Sequence, residues 1–144
     1  MKLLISAVLL FSLCGSLYAE PIINDRLVNA IAQVESNCTP NAIGDNGKSF
    51  GICQISLSVL KEWNDNCRIE FSKKDLLDPQ INKRICAWYL DRLIICYECA
   101  NLEQVLTGYN WGIGNLRKVK YDVSKAPKST REYVKKVLKI YRSQ

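Results

Sequence analysis

Residues 25–36 read Asp-Arg-Leu-Val-Asn-Ala-Ile-Ala-Gln-Val-Glu-Ser. Leu27, Ile31 and Val34 recur at i, i+4 and i+7, the spacing of one face of an α-helix, so residues 25–34 are predicted helical with an apolar stripe. Glu35 follows Ile31 by four residues and continues that stripe rather than the solvated face. A carboxyl group held against apolar neighbours resists ionisation, and its pKa rises towards neutrality. That is the protonation state a general acid needs. The chain contains no histidine, so the usual proton carrier at neutral pH is absent. A perturbed carboxylate, Glu35, is the leading candidate for proton transfer.

Outward from this segment, every well-patterned stretch is helical. Residues 37–49 are polar and turn-rich, with Pro40, Gly44 and Gly47; they fit either a short β-hairpin or an irregular loop. A short helix is predicted from about residue 51 to 63, carrying Ile52, Ile55, Val59 and Leu60. Asp78 and Pro79 form a helix start, a cap followed by a first-turn proline. The helix they open directs Ile81, Ile85, Trp88, Tyr89, Leu93 and Cys96 towards a core. Asn101 with Gln104, and Ser129 with Glu132, resemble capping boxes ahead of two more helices. Between those two helices lie residues 110–128, with Gly112, Gly114 and Pro127. No repeat, low-complexity tract or interdomain linker interrupts the pattern, so the expectation is one mostly α-helical domain.

The first nineteen residues read as a cleaved export signal. Lys2 supplies the positive start, residues 3–13 an apolar run, and Ala19 the small residue at the cleavage site. The run is too short for a membrane anchor, and no other segment is long enough. A rival reading takes Cys14 as a lipid attachment site, but Leu13 stands where a small residue should precede it. Cleavage leaves residues 20–144 as one exported domain, periplasmic by expectation, and a monomer. Its six cysteines, Cys38, Cys53, Cys67, Cys86, Cys96 and Cys99, read as a disulfide framework of up to three bridges. Cys96-Tyr-Glu-Cys99 matches a redox spacing but follows a long helix instead of opening one after a strand. The formal charge of +6 is spread along the chain, without the polybasic runs and interleaved aromatics of nucleic-acid binders. It suits an anionic polymer outside the cytoplasm, and equally a merely solubilising surface.

Three pieces then line up with Glu35. Val34-Glu35-Ser36 ends the first helix, Gly51-Ile52-Cys53-Gln54 follows sixteen residues after Glu35, and Tyr109-Asn110-Trp111-Gly112 closes a later helix. With Tyr133 in Arg131-Glu132-Tyr133-Val134, they resemble the soluble lytic transglycosylase (SLT) family, enzymes of the lysozyme superfamily that cleave peptidoglycan glycan strands. The family pattern is Glu-Ser, then Gly-Leu-Met-Gln, then Ala-Tyr-Asn with a small residue and glycine, then a tyrosine in the last helix. The resemblance covers roughly residues 24–141. Each motif is short, but four in order at suitable spacing make a specific signal.

The resemblance implies a lysozyme-like helical fold with Glu35 as catalytic acid and base. Ser36 matches a serine that supports the site by hydrogen bonding, Gly51 a glycine allowing close backbone approach, and Gln54 a glutamine lining the cleft. Tyr109 resembles a tyrosine near the catalytic carboxyl, Asn110 a residue bonding the substrate's acetamido or hydroxyl groups, and Tyr133 a tyrosine directing its hydroxyl towards Glu35. Core packing competes for both tyrosines. Trp111, in a glycine-flanked loop, is the best sugar platform, whereas Trp88 reads as core. Cys53 replaces the family methionine, and Gly108 stands where alanine usually precedes Tyr-Asn. A disulfide at Cys53 would fix the cleft wall; a free thiol would merely fill space.

By resemblance, the partners are peptidoglycan glycan strands, cut between N-acetylmuramic acid and N-acetylglucosamine with 1,6-anhydro ends. A domain this small resembles the transglycosylases that serve secretion, conjugation or pilus machines. No metal or organic cofactor is implied. A goose-type-like hydrolase is the alternative, with Asp45 as the second carboxylate that ordinary glycosidases need. A peptidoglycan-binding or assembly module without turnover is another.

Overall fold

The computed structural model describes residues 23–144; the expected export signal and Cys14 lie outside them. Six α-helices and a small sheet follow in chain order among the described residues. These are α1 (Asp25–Ser36), β1 (Ile43–Gly44), β2 (Ser49–Phe50), β3 (Ile55–Ser56), α2 (Leu57–Asn66), α3 (Pro79–Ile95), α4 (Leu102–Thr107), α5 (Ile113–Lys118) and α6 (Lys128–Ser143). A single π-helical turn, Gly108–Gly112, joins α4 to α5. The domain is mostly helical, as its periodicity predicts.

Local chemistry explains the boundaries. Asn24 Oδ1 accepts the Leu27 N–H at 3.1 Å and caps α1. At its other end Asn37 turns left-handed (φ 51°), and the Asn37 and Cys38 N–H groups reach back to the Gln33 and Ala32 carbonyls at 3.0 and 3.1 Å, satisfying carbonyls of the last turn. Asp78 caps α3 ahead of Pro79, as its sequence predicts. The first proposed capping box forms in part: Asn101 accepts the Gln104 N–H at 3.0 Å, but Gln104 Oε1 takes the Ala100 N–H instead of that of Asn101. The second does not form. Helix α6 begins at Lys128 after Pro127, with no side-chain cap, so Ser129 lies inside the first turn and Glu132 faces Lys128 at 3.8 Å.

The stretch after α1 is a three-stranded antiparallel sheet, β1-β2-β3, with Ile43 opposite Phe50 and Phe50 opposite Ile55. This resolves the hairpin-or-loop alternative and corrects the predicted helix from residue 51. Gly51 (φ 75°) and Gln54 (φ 50°) are both left-handed, a geometry no α-helix contains, so residues 51–54 form a tight turn between β2 and β3. Helix α2 starts only at Leu57, capped by Ser56.

One core joins these parts. Leu27 and Ile31 of α1, Leu90 and Leu93 of α3, Leu106 of α4, Leu116 of α5 and Val137 of α6 are fully buried. Helix α6 packs along α1 through Thr130, Tyr133, Val134, Val137 and Leu138, a stripe at helical spacing, and leaves its lysines outward. Trp63 is core, edge-on to Trp88 at 5.1 Å between ring centroids. Cys96, expected to point inward, is exposed. All six cysteines are free thiols in the structure, which is not the bridged framework that their even number predicts.

Candidate functional site

Glu35 lies at the end of α1, where a cleft of about 490 Å³ opens between the small sheet and the α4–α5 junction. Its lining includes Asp45, Ser49 and Gln54 on the sheet side and Tyr109, Asn110, Trp111 and Gly112 on the other. Ile55, Ser56, Val59 and Tyr89 complete it. The cleft has no basic side chain among its lining residues, although the chain carries +6.

Burial pushes the Glu35 carboxyl up from 4.5 to about 7; nearby Tyr133 opposes this, and the charge of Asp45 adds to the rise. Desolvation is the largest cause, since an apolar surround penalises the charged form. The Tyr133 hydroxyl is buried and lacks a partner at strict hydrogen-bond geometry. The contact is therefore loose, yet the two groups sense each other: burial and then the Glu35 charge push the Tyr133 hydroxyl well above its ordinary range. A carboxyl poised near neutrality can give a proton and take one back within one reaction.

The sheet-side wall is pinned atom by atom. Ser36 Oγ donates to the Ile52 carbonyl at 2.8 Å and accepts the Thr39 N–H at 3.0 Å, tying the end of α1 to the turn. Asn82 of α3, fully buried, accepts the Cys53 N–H at 2.9 Å and donates to the Phe50 and Leu76 carbonyls, each at 2.8 Å. The Tyr109 hydroxyl crosses the cleft floor to the Cys53 carbonyl at 2.7 Å. A Cβ on Gly51 would lie 2.1 Å from the Leu76 carbonyl oxygen and 2.2 Å from Asn82 Nδ2, so glycine is required both by φ and by space.

The predicted residues thus divide into two groups. Glu35, Gln54, Tyr109, Asn110 and Trp111 line the cleft. Ser36 and Gly51 do not line it; they hold the turn that does. Tyr133 stands behind Glu35, within its electrostatic reach. Gln54 sits between the groups, because its Nε2 donates to the Gly51 and Ala42 carbonyls at 2.9 and 3.3 Å. Its amide nitrogen is committed to the wall, which leaves Oε1 as its free polar atom. Sequence reading missed Asn82 and Ser49. A lone amide between Ile81 and Ile85, on a face leading to Cys86, was the available signal for Asn82. Ser49, buried, donates to Asp45 Oδ2 at 2.6 Å and holds that carboxylate on the cleft rim. Among the described residues no three His, Cys, Asp or Glu side chains converge as metal ligands.

The sequence profile of the transglycosylase SLT domain matches residues 17–131. Among curated proteins, none gives a significant match. Among solved structures, the 70 kDa soluble lytic transglycosylase of Escherichia coli is similar, with 27% identity and a TM-score of 0.70 over 84% of this chain and 22% of that one. An inactive mutant of the lytic transglycosylase Slt of Pseudomonas aeruginosa is similar in fold, at 24% identity and a TM-score of 0.71, over 82% and 21% respectively. The chain spans about a fifth of the length of either structure.

Proposed function

This chain belongs to the transglycosylase SLT domain family, and from that premise we propose that its cleft cleaves the β-1,4 bond between N-acetylmuramic acid and N-acetylglucosamine in peptidoglycan, with Glu35 as sole acid and base. The observation that carries the reading is the Glu35 carboxyl held at about 7 inside the cleft. Protonated Glu35 gives its proton to the glycosidic oxygen as the bond to carbon 1 breaks, and the muramyl acetamido oxygen assists at carbon 1. The Glu35 carboxylate then takes the proton of the sugar's 6-hydroxyl, whose oxygen closes on carbon 1. The product is a 1,6-anhydro ring, no water is consumed, and Glu35 ends protonated again. Intramolecular attack of this kind has a high effective molarity, which lessens the need for a second catalytic carboxylate. Asn110 and Trp111, at the cleft mouth, are the sugar-contacting pair: an amide for the acetamido group and a ring for a sugar face. The substrate places the working protein outside the cytoplasm, in line with the export signal read from residues 1–19.

Asp45 supports a second reading. It lines the same cleft, is held by Ser49, and its charge is felt by Glu35, so it could activate a water as in an inverting hydrolase. Digestion of purified peptidoglycan, followed by mass spectrometry of the fragments, separates the two. Anhydro ends are expected; hydrated reducing ends would defeat the lyase. Asp45→Asn serves as the companion: release should fall by no more than about tenfold for the lyase, but by 10²-fold or more if Asp45 is the general base.

A further inference from the structure

Behind Glu35 lie two thiols that this chemistry does not use. Cys53 belongs to the wall turn and Cys86 to α3, and both are fully buried. Asn82 sets their approach. Its side chain binds the Cys53 N–H at 2.9 Å, and Cys86 follows it by four residues, hence on the same helical face one turn along. The two buried thiols are neighbours, each within the other's electrostatic reach. The turn they meet at contains left-handed Gly51 and Gln54, a geometry that persists only where the surroundings over-determine it. The Cys53 N–H is held by Asn82 and its carbonyl by Tyr109. Its side chain is buried on the α3 side of the turn, near Cys86.

We propose that Cys53 and Cys86 are an oxidation site, joined in the mature protein by a disulfide that staples the cleft wall to α3. The bond forms by thiol–disulfide exchange with a disulfide-bearing oxidant, such as oxidised glutathione or a dithiol oxidase. One cysteine thiolate attacks the oxidant's disulfide and expels one of its sulfurs as a thiol. The second cysteine attacks the chain's sulfur in the mixed disulfide and expels the other. The chain loses two electrons and two protons, and the oxidant gains both. Contact with Cys86 and burial push the Cys53 thiol far above its ordinary range, so the reactive thiolate is scarce once the core has closed. Exchange therefore takes place during folding, and the finished bond is sealed from reductants. It closes a loop of 34 residues, and it forms whether or not the cleft turns over glycan.

The test is a peptide map of the wild-type chain. Reduced, unfolded protein is refolded in a glutathione redox buffer, alkylated in denaturant without reductant, digested, and analysed by mass spectrometry. The expected result is a Cys53–Cys86 cross-linked pair, two hydrogens lighter than the free peptides, that survives dithiothreitol added to the folded protein but not to the unfolded one. Recovery of both cysteines alkylated, or of either linked to another cysteine, in protein with native helical content overturns the proposal. If refolding fails, the same map on chain purified from an oxidising export compartment decides by the same two outcomes. Thermal unfolding adds a second readout: a Cys53→Ala/Cys86→Ala chain should melt roughly 10 °C below the oxidised wild type. An unchanged melting temperature would argue equally against the bond.

Discussion

On one side of the cleft, the backbone carbonyls of residues 51–53 are all occupied within the protein; on the other, the Asn110 and Trp111 side chains face the opening. The carbonyls of Gly51, Ile52 and Cys53 all accept bonds from side chains, those of Gln54, Ser36 and Tyr109. Opposite them, a π-helical turn widens the backbone at Gly108–Gly112, leaving Asn110 exposed and Trp111 half-buried at the cleft. Single π-turns of this kind recur at functional sites. The contrast suggests a division of labour. The sheet-side wall fixes the surroundings of Glu35 at some cost in backbone strain, and in the proposed reaction the helical wall is the one that would contact the sugar.

Glu35 stands between the walls, and replacing it is the largest perturbation expected. Glu35→Gln should lower release of soluble fragments from peptidoglycan by about 10³-fold while binding to sacculi stays near wild type. Near-wild-type release would remove the acid from the scheme. Its effect on stability has the opposite sign. The folded pKa lies above the unfolded one, so the neutral form is favoured by folding and that stabilisation is lost as pH rises from 4.5 through about 7. Glu35→Gln should therefore gain up to about 3 kcal/mol at pH 8 and almost nothing at pH 4, as read by urea unfolding at the two values.

Next comes the pinned wall. Gly51→Ala must move the Leu76 carbonyl or Asn82 and adopt a positive φ, so a loss of about 3 kcal/mol in urea unfolding is expected. A stable Gly51→Ala chain would mean that this wall yields, and the contrast between the walls would disappear. Trp111→Ala tests the helical wall from the other direction. Glycan affinity should weaken by roughly 10- to 30-fold, the range for losing one well-placed aromatic anchor, with the unfolding midpoint unchanged. A large fall in stability would instead make Trp111 part of the scaffold.

The smallest effect belongs to Tyr133. Its hydroxyl lowers the Glu35 pKa, so Tyr133→Phe should shift the alkaline limb of the pH–rate profile upward by less than about one unit. The melting temperature should hardly change, because the buried hydroxyl lacks a well-formed hydrogen bond. An unshifted limb would leave Tyr133 with packing alone.

Much of this molecule is legible along the chain because helical periodicity and capping are local properties. The stripe Leu27, Ile31 and Val34 leads to Glu35, the Asp78–Pro79 start opens α3 as written, and the α6 stripe delivers Tyr133 without reference to anything distant. Residues 51–56 misled the same reasoning. Ile52 and Ile55 sit at helical spacing, yet the turn and strand β3 win because Asn82, Ser36 and Tyr109 reach it from segments 16 to 56 residues away. Ser129 similarly lost its capping role to a helix that starts one residue earlier, at Lys128.

The order of motifs, the absence of histidine and the apolar stripe behind Glu35 were thus determined by the sequence itself, since each depends only on residue type and spacing. Three things were decided by tertiary structure: how far burial lifts the Glu35 carboxyl, to about 7, which groups Ser36 and Gly51 hold the wall turn against, namely Ile52, Leu76 and Asn82, and that Cys53 and Cys86 are buried together behind Glu35. Desolvation and long-range contact arise from surfaces brought together by folding, and no single segment carries them.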